Sequence, residues 1–267
     1  MKSTAYPFWN GPHAGGFTKL PDFYKDFQNE MNSKREEFEE FRPFKGEYDR
    51  LKGLELSKED EEFFIFKCME YGVDSMTTIF TPDHADYFNE LGYTNLKLSG
   101  YSIPAFDYGT KLKDFNFKKL YFSASSLTLD ELSLTIKNLR ELNIDFCLLG
   151  CTCVYPTPLE KANLQNLPFY KFYFNLDEIG YSDHSNPYED NLLTTKLAIF
   201  QGADVIERHF TILDKDSTRD GKVSINASML SELKRFSRLN KSDQYDELNK
   251  FTEQQIFNHK YYRGRFE

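Results

Sequence analysis

From Ser57 onward the chain repeats one unit, a short apolar run followed by a capped helix, and this repeat constrains the fold more than any other feature. Ser57-Lys58-Glu59-Asp60 has the form of a capping box, and Phe63, Phe64, Phe66, Met69 and Tyr71 follow it as the apolar positions of a helix that Gly72 can end. Asp74–Phe80 reads as a strand. Pro82 opens the next helix, where its missing N–H does no harm, and Gly92 closes it. Asn95–Ser99 and Lys119–Ser123 are further strands. Thr128-Leu129-Asp130-Glu131 is a second capping box, leading into Leu132–Leu142. Asp145–Cys151 is short and apolar, as a strand buried on both faces should be. Ile179–Asp183 and Val205–Phe210 are two more strands, separated by a helix ending near Gln201-Gly202, and a last helix covers roughly Ala227–Leu239.

Six strands therefore start near residues 74, 95, 119, 145, 179 and 205. A spacing of about 20–35 residues is what a βα unit requires. Repeated parallel units make either a barrel or a doubly wound sheet. No GxGxxG or GxxxxGK[ST] segment occurs, which removes the usual argument for a nucleotide-binding sheet. The expected fold is a TIM-type (β/α) barrel over residues 57–267, and a chain of 267 residues fits a barrel of about 250 without a second domain. Eight strands are needed for closure and six are clear, so the barrel is expected to be incomplete or to carry an atypical N-terminal segment. That segment is 1–56, rich in Phe, Glu, Lys and Gly, in which no buried strand is evident. An open sheet edge exposes unpaired backbone groups, so association through residues 1–50 is expected, as a homo-oligomer or with a complementing subunit.

Composition narrows the function. A net charge of −9 speaks against nucleic acid or an anionic membrane as partner, since both need clustered Lys and Arg. A phosphorylated substrate remains compatible, because a few local donors can offset the global field. Cys68, Cys147, Cys151 and Cys153 sit mostly in apolar strand-like surroundings, which suits a reducing cytoplasm. No apolar leader or 18-residue apolar run is present, and a cytoplasmic protein is expected.

In such a barrel the active site lies at the carboxyl ends of the strands. Tyr181-Ser182-Asp183-His184 ends one strand and Glu207-Arg208-His209-Phe210 the next. Alternation puts Ser182 and His184 on one face, and Glu207 and His209 on one face. If both faces point into the mouth, two imidazoles converge. Neutral imidazole suits Mn²⁺, Zn²⁺ or Fe²⁺, with a carboxylate nearby for charge or orientation, although strand-end histidines are often satisfied structurally. His13, His84 and His259 read as surface or loop residues. Lys97, within an apolar strand, must snorkel, pair with a carboxylate or hold an anion. Ser123, Ser125 and Ser126 could donate to a phosphate or simply cap the next helix. Cys151-Thr152-Cys153 puts two thiols on one face, without the further cysteines a metal or disulfide role needs. Tyr155-Pro156-Thr157-Pro158 begins a rigid loop.

Taken together these segments resemble the N-acetylneuraminate (sialic acid) synthase family. The segments that carry the resemblance are Ile179-Gly180-Tyr181-Ser182-Asp183-His184-Ser185 and Gly202-Ala203-Asp204-Val205-Ile206-Glu207-Arg208-His209-Phe210-Thr211. Collinear, weaker matches are Leu149-Gly150-Cys151, Tyr155-Pro156-Thr157-Pro158, Leu54-Glu55-Leu56-Ser57, Ser123 with Thr128–Leu132, and Lys97, so that the likeness covers about residues 50–240. The family condenses phosphoenolpyruvate with an N-acetylated sugar aldehyde to nine-carbon 2-keto acids. The resemblance implies a divalent metal, Mn²⁺ or Mg²⁺, held by His184 and His209. It implies that Lys97, Ser123 and Ser182 hold phosphoenolpyruvate, with Ser99 beside the position of an expected serine, and that Glu207, Tyr155 and Asp220 contact the sugar.

The sequence also departs from the family. An Ala-Glu-Ile-Gly start, an Asn-His-Asn-Gly turn and a Lys-Phe-Gln strand, which in the family supply a catalytic glutamate and a phosphate-binding lysine, are not recognisable, and Lys2 is at best a remnant of that lysine. Cys153 replaces a polar phosphate contact, Gly100 a serine and Arg208 a lysine, while Gly221 stands where a histidine usually follows the aspartate at 220. No counterpart of the family's carboxyl-terminal antifreeze-like domain is expected in residues 1–267. Three functions follow: an active synthase for surface carbohydrate, an accessory barrel that binds sugar, metal or a partner subunit, or another metal-dependent aldol-type barrel enzyme.

Overall fold

The computed structural model describes residues 4–5, 54–79, 85–100, 103, 112, 115–250 and 253–264. Most of the segment 1–56 thus lies outside the described residues, as do Phe80, Pro82, His13 and His84. Eight strands form one sheet in sequence order: β1 (Thr4–Ala5), β2 (Asp74–Ile79), β3 (Asn95–Leu98), β4 (Lys119–Ser123), β5 (Phe146–Cys151), β6 (Ile179–Asp183), β7 (Val205–Phe210) and β8 (Ser224–Ile225). Every neighbouring pair is parallel. The helices are α1 (Lys58–Glu70), α2 (Ala85–Leu91), α3 (Leu129–Glu141), α4 (Asn166–Tyr173), α5 (Leu193–Phe200), α6 (Ala227–Ser237), α7 (Lys241–Leu248) and α8 (Glu253–Tyr261).

This is the expected α/β architecture, a curled parallel sheet of barrel type with helices outside it. Both capping boxes form: Ser57 accepts from the N–H of Asp60, and Thr128 from that of Glu131, each acid reaching back in return. Two strands go beyond the six expected. β1 lies inside a segment where no strand was evident, and β8 follows the loop after β7. Each is two residues long, too short to show a periodicity, and each exists because an edge strand offers it a ladder. Among the described residues no pairing joins β8 to β1. The helix expected at the end of the chain is followed by two more, α7 and α8. No helix among the described residues is long and apolar enough to cross a membrane.

Alternation sorts the strand residues between two cores. Outward-facing Leu96, Leu98, Leu120, Phe122, Leu148 and Tyr181 pack with Leu132, Ile136 and Leu139 of α3, Leu167 of α4 and Ala198 of α5. Each large side chain so buried contributes about 1.5–3 kcal/mol. Inward-facing Met76, Tyr121, Cys147, Leu149 and Val205 fill the barrel's middle. Gly180 belongs to that inner set. A Cβ there would lie 2.4 Å from Leu149 Cδ2 and 3.0 Å from the carbonyl oxygen of Val205, so three strands close up only because it has no side chain. Below this layer, at the amino ends of the strands, Lys119 pairs with Glu178 and lies 3.5 Å from Asp145, and Lys118 pairs with Asp74 at 2.9 Å. The apolar plug leaves the carboxyl ends as the open mouth.

Candidate active site

The register of β6 and β7 sets the site. Ser182 pairs with Glu207 and Asp183 with Arg208, which places the next residues, His184 and His209, side by side. Cys151 on β5 pairs with Ser182, so Cys151, Ser182 and Glu207 form one inward-facing layer. The two imidazoles are buried, their ring centroids 5.2 Å apart at an interplanar angle of 71°. Tyr155, on the loop after β5, completes an aromatic cluster with ring centroids 4.2 Å from His184 and 5.7 Å from His209.

Hydrogen bonding fixes the tautomer of His184. Its Nδ1 lies 3.2 Å from the carbonyl oxygen of Thr152, which can only accept, so Nδ1 carries the proton. Nε2 is then the acceptor for the hydroxyl of Tyr155 at 2.9 Å. Burial lowers the pKa of this imidazole from its ordinary value, with Glu207 acting in the opposite direction. Burial also raises the phenol of Tyr155 far above its ordinary value, so Tyr155 remains a donor throughout the working pH range. His209 Nδ1 lies 3.7 Å from Asp220 Oδ2, too far for a hydrogen bond.

Lys97 reaches from β3 across the interior to Glu207, Nζ to Oε1 at 2.5 Å. Of the alternatives open for Lys97, pairing with a carboxylate is the one seen. The second oxygen of Glu207, Oε2, is buried and makes no hydrogen bond. Ser123 is buried at the end of β4, where its hydroxyl accepts from the N–H of Ser125 at 3.2 Å. Cys151 and Cys153 are in no disulfide and lie partly exposed at the same mouth. Cys151 Sγ lies 3.8 Å from His184 Nδ1, and Cys153 donates to the hydroxyl of Ser125 at 3.5 Å. The pKa of Cys151 is raised by its hydrogen bond to Cys153 and by burial, while Ser123 and Lys97 act the other way.

The expected residues thus fall into two contacting groups, Lys97 with Glu207 and Tyr155 with His184, His209 and Asp220, while Ser182 sits between Cys151 and Glu207 in the ladder and Ser123 adjoins Cys151. Ser99 stands half-buried just past β3. The Thr152 carbonyl is the part of the site that the sequence does not reveal, because a backbone acceptor has no side-chain signature and the path of the loop after β5 is not written in its composition. Among the described residues no group of three or more His, Cys, Asp and Glu side chains is arranged to hold a metal ion.

The NeuB family model matches residues 18–245, beginning well before the 50–240 stretch in which the motifs lie. N,N'-diacetyllegionaminic acid synthase of Campylobacter jejuni is 32% identical over 185 residues, covering 67% of this chain and 53% of that protein. Human N-acetylneuraminate-9-phosphate synthase is 29% identical over 185 residues, covering 69% and 48%. The chain spans about half the length of these curated relatives. The crystal structure of N-acetylneuraminic acid (sialic acid) synthetase from Leptospira borgpetersenii, in complex with citrate, superposes with a TM-score of 0.68 at 21% identity over 85% of this chain and 78% of that one. At that identity the superposition speaks for the fold. A match over most of the chain, together with a strand-by-strand parallel barrel, places the protein: it belongs to the NeuB family.

Proposed function

We propose that this barrel condenses phosphoenolpyruvate with an N-acetylated amino sugar of the N-acetylmannosamine type into a nine-carbon 2-keto sugar acid, for surface carbohydrate biosynthesis. One observation carries the reading: the Tyr155–His184–His209 cluster and the buried Lys97–Glu207 pair meet at the carboxyl ends of the strands. Relatives named as legionaminic and neuraminic acid synthases support the same reaction class.

Each residue has a task that its surroundings fit. Lys97 is a buried cation paired with Glu207, and an incoming phosphate or carboxylate would take over that charge contact. Ser123 and Ser182 are buried hydroxyls at the ends of β4 and β6, suited to donate to the same anion. Glu207 Oε2 is an acceptor in want of a donor, which a sugar hydroxyl would supply. Tyr155 and Asp220 border the imidazoles from the loop side and would orient the open-chain sugar. In the reaction C3 of phosphoenolpyruvate forms a bond to the sugar's aldehyde carbon, water adds at C2, and inorganic phosphate leaves.

A divalent cation, Mn²⁺ or Mg²⁺, fits the donor set in part. Burial keeps His184 in the neutral, ligating form, and two imidazoles on adjacent strands leave the remaining positions to substrate and water oxygens. His184, releasing Tyr155 from Nε2, and His209 would hold it, and bound there it would polarise the aldehyde as a Lewis acid.

The test is inorganic phosphate release from phosphoenolpyruvate with Mn²⁺ and a panel of N-acetylated amino sugars. Release is expected with the wild type and not with His184→Ala or His209→Ala. Elemental analysis of the same three proteins reads the metal separately, and equal metal content in all three removes these ligands. No release with any sugar overturns the synthase reading and leaves an accessory barrel that binds without condensing.

A further inference from the structure

The carboxyl ends of β6 and β7 carry site residues on the inner face, and the residues between them face outward. Asp183 lies between Ser182 and His184, and Arg208 between Glu207 and His209. These two pair, Arg208 Nη1 to Asp183 Oδ2 at 2.8 Å, with both side chains buried. Asp183 Oδ2 also accepts from the hydroxyl of Thr195 on α5, and Oδ1 accepts from the N–H of Ser185 at 2.8 Å, so that the carboxylate brackets the backbone of His184. Arg208 Nη1 further donates to Ser185 Oγ at 3.0 Å. Its Nη2 donates to the carbonyl oxygens of Ser185 at 3.1 Å and Val223 at 3.2 Å. One guanidinium therefore reaches the residues beyond β6 and before β8, on both sides of the strand that bears His209.

A planar fork with several donors in fixed directions can satisfy a carboxylate and two carbonyls at once, which a single ammonium cannot. A buried ion pair adds little net stability over an apolar replacement, but it holds its partners in one arrangement. We infer that Arg208 is a positioning residue, which with Asp183 holds the His184 and His209 rings against one another through the backbone of three strand ends. This rests on the proposed function only in that the two rings act together there. A pair that served stability alone would leave the ring contact unchanged when removed.

The experiment uses metal-free full-length protein with selectively labelled histidines and reads the ring-proton cross-peak between His184 and His209. The cross-peak is expected in the wild type and lost in Arg208→Met and Asp183→Asn while near-UV circular dichroism shows a folded chain. Lys119→Met, which breaks the ion pairs at the opposite end of the barrel, is expected to retain it. Should Arg208→Met fail to fold, Arg208→Lys keeps the charge while losing the fork, and loss of the cross-peak there supports the role. A wild-type cross-peak in a folded Arg208 variant, or none in the wild type, overturns it. Because neither phosphoenolpyruvate nor metal is present, the outcome is independent of the phosphate-release assay.

Discussion

Lys97 Nζ and Glu207 Oε1 lie 2.5 Å apart, although their strands, β3 and β7, have three others between them in the sheet. The contact spans the barrel's interior and buries both charges just above the apolar plug. Removing one member leaves the other charged and unpaired, at a cost of about 3–5 kcal/mol. Lys97→Met should lower the free energy of unfolding by about that amount in urea titrations, and Lys97→Met with Glu207→Leu should recover much of it. A single variant as stable as the wild type would show that water already screens the pair.

Tyr155 has a narrower effect. Its hydroxyl meets Nε2 of a buried, neutral imidazole, so Tyr155→Phe removes one hydrogen bond worth about 1 kcal/mol and little packing. On the proposed function the KM for the amino sugar should rise while that for phosphoenolpyruvate stays put. Equal KM values for the sugar in variant and wild type would take Tyr155 out of the sugar site.

Acid sensitivity has a source in the second capping box. The backbone N–H and hydroxyl of Thr128 hold the carboxyl of Glu131 below its ordinary value. A carboxyl whose pKa is lowered on folding contributes stability above its unfolded value, about 4.3, and loses it as pH falls through the folded one. Thermal unfolding of Glu131→Gln should therefore fall off less steeply than that of the wild type between pH 5 and pH 3. Parallel acid limbs would deny the box this role.

Gly180 marks where the inner core admits no more volume. In Gly180→Ala the new methyl meets Leu149 Cδ2, which can move, and the Val205 carbonyl, which belongs to the ladder. A loss of about 1–3 kcal/mol is expected, partly recovered by adding Leu149→Val. Denaturation midpoints of the single and double variants decide it.

Much of this was legible in the sequence because parallel strands in register turn linear offsets into neighbours. His184 and His209 each follow an inward-facing residue by two, so once Ser182 and Glu207 pair the rings must adjoin. Strands β4, β6 and β7 carry enough β-branched and apolar residues between turns to fix their ends. The two-residue strands β1 and β8 have no such pattern of their own. Lys97 announced that it needed a partner but not which, since Glu207 lies 110 residues away in the chain. The Thr152 carbonyl and the crowding at Gly100 depend on how separate loops meet, which no local pattern encodes. The expected association through residues 1–50 rests on a segment of which only Thr4–Ala5 is described.

Gly100 gives the sharpest of these cases. The family resemblance puts a serine at this position, and restoring it looks like the way to strengthen an anion site. In this chain a Cβ at 100 would stand 1.9 Å from the carbonyl oxygen of Ser125 and 2.9 Å from its hydroxyl. The carbonyl cannot swing aside as a side chain can, and Ser125 is itself tied by its N–H to Ser123 and by its hydroxyl to Cys153. Gly100→Ser must therefore push apart the loops after β3 and β4, the two that flank Lys97 and Ser123. A loss of about 3 kcal/mol is expected in chemical denaturation and, on the proposed function, weaker phosphoenolpyruvate binding by calorimetry. A variant of wild-type stability that binds phosphoenolpyruvate more tightly would mean that these loops have room, and that Ser99 is not standing in for the missing hydroxyl.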